Sequence, residues 1–165
     1  MQQVENIEKM VATWMKDMPH LPKGLTKWLA ENAWWLVIIG VVLSALGLLT
    51  ALTALTVGSA VLGTLGAAAL GGTLFVGALI SLVGSAASAV IEGLAISPLK
   101  VMNKKGWDLL FLSVLVGFAG TVVSSLIGMN IMGVVWAAVA AAISFYVLLE
   151  VKPYFVGAAK HETKA

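Results

Sequence analysis

In the run GALISLVGSAASAVIEGLAIS, residues 77–97, one side chain can exchange a proton or hold a cation, and it is Glu92. A charge at mid-bilayer is costly and marks function by default, whereas near the interface the cost falls steeply. Two readings follow. As a boundary carboxylate, Glu92 pairs with Lys100, Lys104 or Lys105, or with a serine hydroxyl. As an ion- or proton-handling group, it shares a path with the hydroxyls of Ser81, Ser85, Ser88, Thr121 and Ser125. A span finishing at Ser97 puts Glu92 ~7–8 Å inside the bilayer edge, at ~1.5 Å per residue. That depth favours the boundary reading.

No other grouping has the chemistry of a catalytic site. The chain holds no cysteine, so disulfides, thiolate metal ligands and thiol catalysis are excluded. His20 and His161 stand apart, with no second ligand at metal spacing. There is no Ser–His–Asp set, no carboxylate pair within one span and no glycine loop followed by Lys-Ser or Lys-Thr. No enzymatic activity, metal or cofactor is expected. Arginine is absent, and a net charge of +2 is weak, so nucleic acid is not an expected partner.

The elements that position Glu92 follow from composition. Hydrophobic residues make up 60% of the 165-residue chain and charged residues 11%, with a mean hydropathy of +1.00. Ordinary soluble domains carry about 25% charged residues. From Asn32 to Ile91 there is no charged residue or histidine. A small soluble domain exposes too much surface to hide such a stretch, and a hydrocarbon span needs about 20 mainly apolar residues. The chain reads as an all-α integral membrane protein. Four transmembrane helices are expected over residues 33–55, 73–97, 107–127 and 131–149, as two tandem hairpins, with a polar tail at 151–165. Pro98 and Pro153 close the second and fourth spans. Residues 56–72, rich in Gly, Ala and Thr, read as an external loop, a re-entrant piece or helical extensions of the spans.

Ahead of the spans, within residues 1–32, Val4, Ile7, Val11, Trp14 and Met18 form one apolar stripe. This amphipathic helix is expected to lie on the membrane or on the protein's own inner face. Glu5 and Glu8 stand where a leader would be basic, so no cleavable signal is expected. Lysines cluster before the first span, between the second and third, and after the fourth. The positive-inside rule then places both termini in the cytoplasm, the membrane being read as a bacterial inner membrane. Trp28, Trp34, Trp35 and Trp107 are expected as anchors at the lysine-rich interface and Trp136 at the opposite one. Asp108 and Glu150 are expected to pair with Lys105 and Lys152.

Helices in lipid gain nothing hydrophobic by touching, so packing relies on small residues and hydrogen bonds. The second span repeats them every four residues, at Gly77, Ser81, Ser85, Ala89 and Gly93, with Gly84 and Ser88 along one edge. The third carries Ser113, Gly117, Thr121 and Ser125, and the fourth Gly133 and Ala137. This is more smooth surface than one four-helix monomer needs. The expected function is a small structural or accessory membrane protein that self-associates or packs on a larger membrane complex. Its partners would be the bilayer and a second copy or another membrane protein. The alternative is a channel, pore or transport element using Glu92.

A Gly/Ala-rich helix bearing one glutamate, in a four-span chain, resembles the proteolipid ring subunits of rotary ATPases. The resemblance covers the second span alone. Ring subunits keep the acid near mid-membrane and have a polar loop inside each hairpin, whereas the links at 56–72 and 128–130 are uncharged here. The chain is not assigned to that family.

Overall fold

A computed structural model of the chain describes residues 2–15, 18–64 and 68–162. Among these are five helices and no strand: α1 (Gln2–Trp14), α2 (Lys23–Thr64), α3 (Ala68–Lys100), α4 (Lys104–Ile127) and α5 (Ile131–Glu162). The helices α2 to α5 are long and apolar enough to cross a membrane. Residues 56–64 belong to α2 and 68–72 to α3, so the Gly/Ala/Thr-rich stretch extends both helices. Residues 65–67 within it lie outside the described residues, as do Lys16, Asp17 and the end of the tail, 163–165.

The turns on either side of α4 are built alike. Met102 and Met129 both take a φ of 50°, the left-handed conformation that commonly ends a helix. In each case the next amide reaches back five residues: Asn103 N donates to Pro98 O (2.9 Å) and Asn130 N to Ser125 O (2.8 Å). The same asparagine then opens the following helix. Asn103 Oδ1 accepts from Lys105 N, and Asn130 Oδ1 from Gly133 N, both at 2.9 Å. A short amide side chain suits this task because the first amides of a helix have no partner within it.

The prolines do not close helices here. Pro98 lies inside α3 and Pro153 inside α5, which corrects the span ends expected from proline alone. A proline removes one backbone hydrogen bond and crowds the carbonyl four residues earlier. Packing around Pro153 offsets that loss. Val151 and Phe155 are buried, and the Tyr154 hydroxyl lies 3.2 Å from that of Thr26. The fourth long helix therefore runs well past residue 149.

The core gathers at the lysine-rich end, where α2 to α5 all contribute. Trp107, Phe111, Phe145, Leu148 and Phe155 fill it, with Ala30, Ala95 and Leu99 closing the gaps. Trp107 is 0% exposed. Its ring stacks on Phe111 at 5.3 Å, and its Nε1 donates to Leu148 O at 2.6 Å. It is a core residue rather than the interface anchor expected of it. An indole is buried readily when its N–H finds a partner. Trp28 and Trp35 are exposed, Trp34 is half-buried with Lys100 Nζ 4.8 Å from its ring, and Trp136 is exposed on α5.

Polar ties fasten the N-terminal segment to α5. Glu8 of α1 forms an ion pair with Lys152, whose Nζ also sits 5.0 Å from the Trp107 ring. His20 Nδ1 lies 2.7 Å from Glu150 Oε1, and the Tyr146 hydroxyl donates to the Pro19 carbonyl. The charge pairs therefore differ from those expected. Lys152 serves Glu8, Glu150 serves His20, and Asp108 takes Lys104 at 3.1 Å. One helical turn separates Lys104 from Asp108, the spacing at which side chains on a helix meet. The α1 stripe is split: Val11 packs toward the core, as does Met15 just past the helix, while Ile7 and Trp14, with Met10, remain exposed.

Candidate functional site: the α3–α4 seam and a hydroxyl-lined groove

Among the described residues the most extensive helix pairing is α3 on α4, and glycine lets the two backbones approach. A methyl group added at Gly84 would stand 3.1 Å from Gly120 Cα, and one at Gly120 3.2 Å from Gly84 Cα. On one side of this crossing, a methyl at Gly77 would meet Ser124 O at 3.3 Å. On the other, one at Gly117 would meet Ser88 Oγ at 3.3 Å. The α3 seam is thus Gly77, Gly84, Ser88, then buried Ala95 and Leu99. Its spacing of seven, four, seven and four follows one helix face.

The four-residue series expected from sequence does not stay on that face. A helix turns through about 400° in four residues, so each step drifts by about 40°. Gly77 is on the seam, but Ser85 is exposed, and a methyl at Gly93 would meet nothing within 4 Å. Ser81 and Ala89 are half-buried. Gly84 and Ser88, read as an edge, form the centre. On α4, Gly117 lies on the seam as expected in position, joined by Gly120 and Ser124.

The other face of α4 meets α5, and it changes character along its length. Trp107, Phe111, Val114, Phe118, Thr121 and Ser125 form one stripe at alternating spacings of four and three. At the lysine-rich end the stripe is aromatic and filled. Toward the far end it becomes small and hydroxylated, opposite Gly133, Ala137, Ala141 and Ser144 of α5. The missing side-chain volume leaves an open groove of about 590 Å³ between α3, α4 and α5. Ser81 and Ser88 line its α3 wall, Asn130 lies at the far end, and Trp136 borders it.

At the closed end of the groove stand Ser88 and Ser113, and the Ser88 hydroxyl is the one within hydrogen-bond reach of Glu92. Ser88 Oγ lies 3.3 Å from Glu92 Oε1 and donates to Ser113 O at 2.9 Å, tying α3 to α4. Among the described residues no lysine pairs with Glu92: Lys100 sits over Trp34 and Lys104 is with Asp108. Of the partners expected for this carboxylate, a serine hydroxyl, that of Ser88, is the one present. Ser113 is level with Glu92 and six residues from Trp107, or ~9 Å along α4.

Several groove hydroxyls have their protons committed to backbone carbonyls. Ser113 donates to Leu110 O (2.8 Å), Thr121 to Gly117 O (2.9 Å) and Ser144 to Ala140 O (2.9 Å). What remains for the groove is their oxygen lone pairs, so its wall accepts hydrogen bonds. Among the described residues no three His, Asp or Glu side chains converge in metal-binding geometry. Two features were missed from sequence. The large-to-small change along the Trp107–Ser125 stripe was readable from spacing; the clasp of residues 8–26 on α5 had no sequence signature. No protein-family model, curated protein or solved structure matches this chain.

Proposed function

We propose that this chain works by association: an accessory membrane protein whose smooth helix faces hold a second copy or a larger membrane complex. In this reading it lies in a bacterial plasma membrane as two tandem hairpins with both ends cytoplasmic, and α1 rests at the interface through Ile7, Met10 and Trp14. The observation that carries the reading is α2. It runs for 42 residues, ~63 Å at ~1.5 Å per residue, and is packed against α3 with few contacts to α5. None of its most apolar window is buried. Small Gly47, Ala51 and Ala54 alternate there with exposed Leu43, Leu46, Leu49 and Leu52. Such a face approaches another helix closely at little steric cost. The absence of native cysteine makes the test direct. A single cysteine at Ala51 should give a crosslinked species of higher mass in native membranes. Ala51→Leu should weaken the association about tenfold, since overpacking costs about 1–3 kcal/mol. Capture of nothing at Ala51 or Gly47, with a lone monomer in mild detergent, would remove the proposal.

A second reading, a transport element, is favoured by the groove, whose Ser88 hydroxyl lies 3.3 Å from Glu92 Oε1. Its test is ion flux into liposomes carrying the purified protein, which Glu92→Gln should abolish. Flux unaltered by that substitution, or no flux from the unaltered chain, rules it out. A straight path through one chain meets the buried Trp107, Phe111 and Phe145, so conduction would run along the bundle's side.

A further inference from the structure

We propose that the groove is a hydrated vestibule through which a small monovalent cation reaches Glu92 from the end of the bundle opposite the lysines, and from that end alone. Three independent observations converge on this. The first is chemistry: the wall carries hydroxyl oxygens at Ser81, Ser88, Ser113, Thr121, Ser125 and Ser144. With Ser113, Thr121 and Ser144 already donating to carbonyls, these oxygens offer lone pairs, which suit water and cations. The second is extent: about 590 Å³ is far more than the ~10–15 Å³ that a single water requires. From Ser125 to Ser113 the groove runs ~18 Å along α4. The third is charge. A carboxylate within a membrane helix faces a partner or a water-filled cavity, and the hydroxyl nearest Glu92 here, that of Ser88 at 3.3 Å, lines the groove.

One-sidedness follows from the stripe. Beyond Ser113, the same line of α4 becomes Phe111 and Trp107, both fully buried against Phe145 and Leu148. That layer is close-packed and apolar and admits no continuous water. Glu92 is therefore reached past Thr121 and Ser88, and a low-dielectric cleft with one negative charge at its base concentrates cations. This deepens the transport reading, yet access can exist without net flux, so the test below reads access and not conductance.

Single cysteines are placed at Ser125, Thr121 and Ser88 in the groove, at Val139 on the exposed lipid side of α5, and at Met129 in the exposed turn. Sealed vesicles of each orientation are treated with membrane-impermeant methanethiosulfonates of positive and negative charge. Groove cysteines should react from the side opposite the lysines only, and much faster than the Val139 cysteine. Normalised to the Met129 cysteine, the positive reagent should be preferred about tenfold at Ser88, as expected for a charge-focusing cleft. Glu92→Gln should remove that preference while leaving labelling at Ser125 intact, which also shows that the variant is folded. Groove cysteines no more reactive than the Val139 cysteine would overturn the proposal. So would labelling from the lysine side, or a preference indifferent to Glu92→Gln. A wet, cation-selective groove in protein that passes no ions would uphold the vestibule and dismiss transport.

Discussion

Trp107→Ala should be the most damaging single substitution in the chain, lowering stability by about 3–5 kcal/mol, the range for emptying a buried aromatic site. Three losses coincide at this position. The ring is wholly inaccessible and stacks on Phe111, its Nε1 holds the Leu148 carbonyl, and its face supports Lys152. Thermal unfolding in mild detergent, followed by the loss of monodisperse protein, reads the effect. Trp107→Phe separates the parts. It keeps most of the ring volume and gives up the N–H, so about 1 kcal/mol of the loss should remain. Trp28→Ala supplies the comparison, because an exposed indole away from the core should shift stability by no more than about 0.5 kcal/mol. Equal midpoints for Trp107→Ala and Trp28→Ala would show that the aromatic cluster does not hold the bundle.

Gly84→Leu is the second large effect. At its crossing with Gly120 the nearest atom is backbone, so no flexible side chain is available to move aside. Inserting bulk into a packed site costs about 1–3 kcal/mol, and more where the backbone must shift. Gly120→Leu should act alike. The double substitution should cost less than the sum of the two, because the helices need part only once. The informative control is Gly93→Leu, in the same helix, where an added methyl would meet nothing within 4 Å. If Gly93→Leu were as harmful as Gly84→Leu, the seam would lie on the other face.

The number of long apolar helices was legible because lipid imposes a simple length and composition requirement, and residues 32–91 satisfy it without interruption. Their packing was less so. Every four-residue series of small residues looks like a seam in a sequence, yet only Gly84, Ser88 and their heptad neighbours stay in phase with α4. Trp107 was misplaced for a related reason. A tryptophan two residues past a lysine pair reads as an interfacial anchor, and only the arrival of Leu148 O at hydrogen-bond distance shows that its polar edge is satisfied indoors. Pro98 and Pro153 read as stops because local preference is all a sequence displays, while the packing of Val151, Tyr154 and Phe155 that carries α5 onward is tertiary. Glu92 could be located by eye, and so could its hydroxyl partner Ser88, four residues away. Ser113, whose carbonyl accepts from Ser88 across the seam, could not.

The clasp on α5 has a temporal side. Glu8, Pro19 and His20 leave the ribosome well before Tyr146, Glu150 and Lys152. Until α5 has been made, α1 has nothing of it to grip, and any nascent chain halted before Tyr146 stays unlatched. Docking of α1 thus marks chains in which α5 has been synthesised.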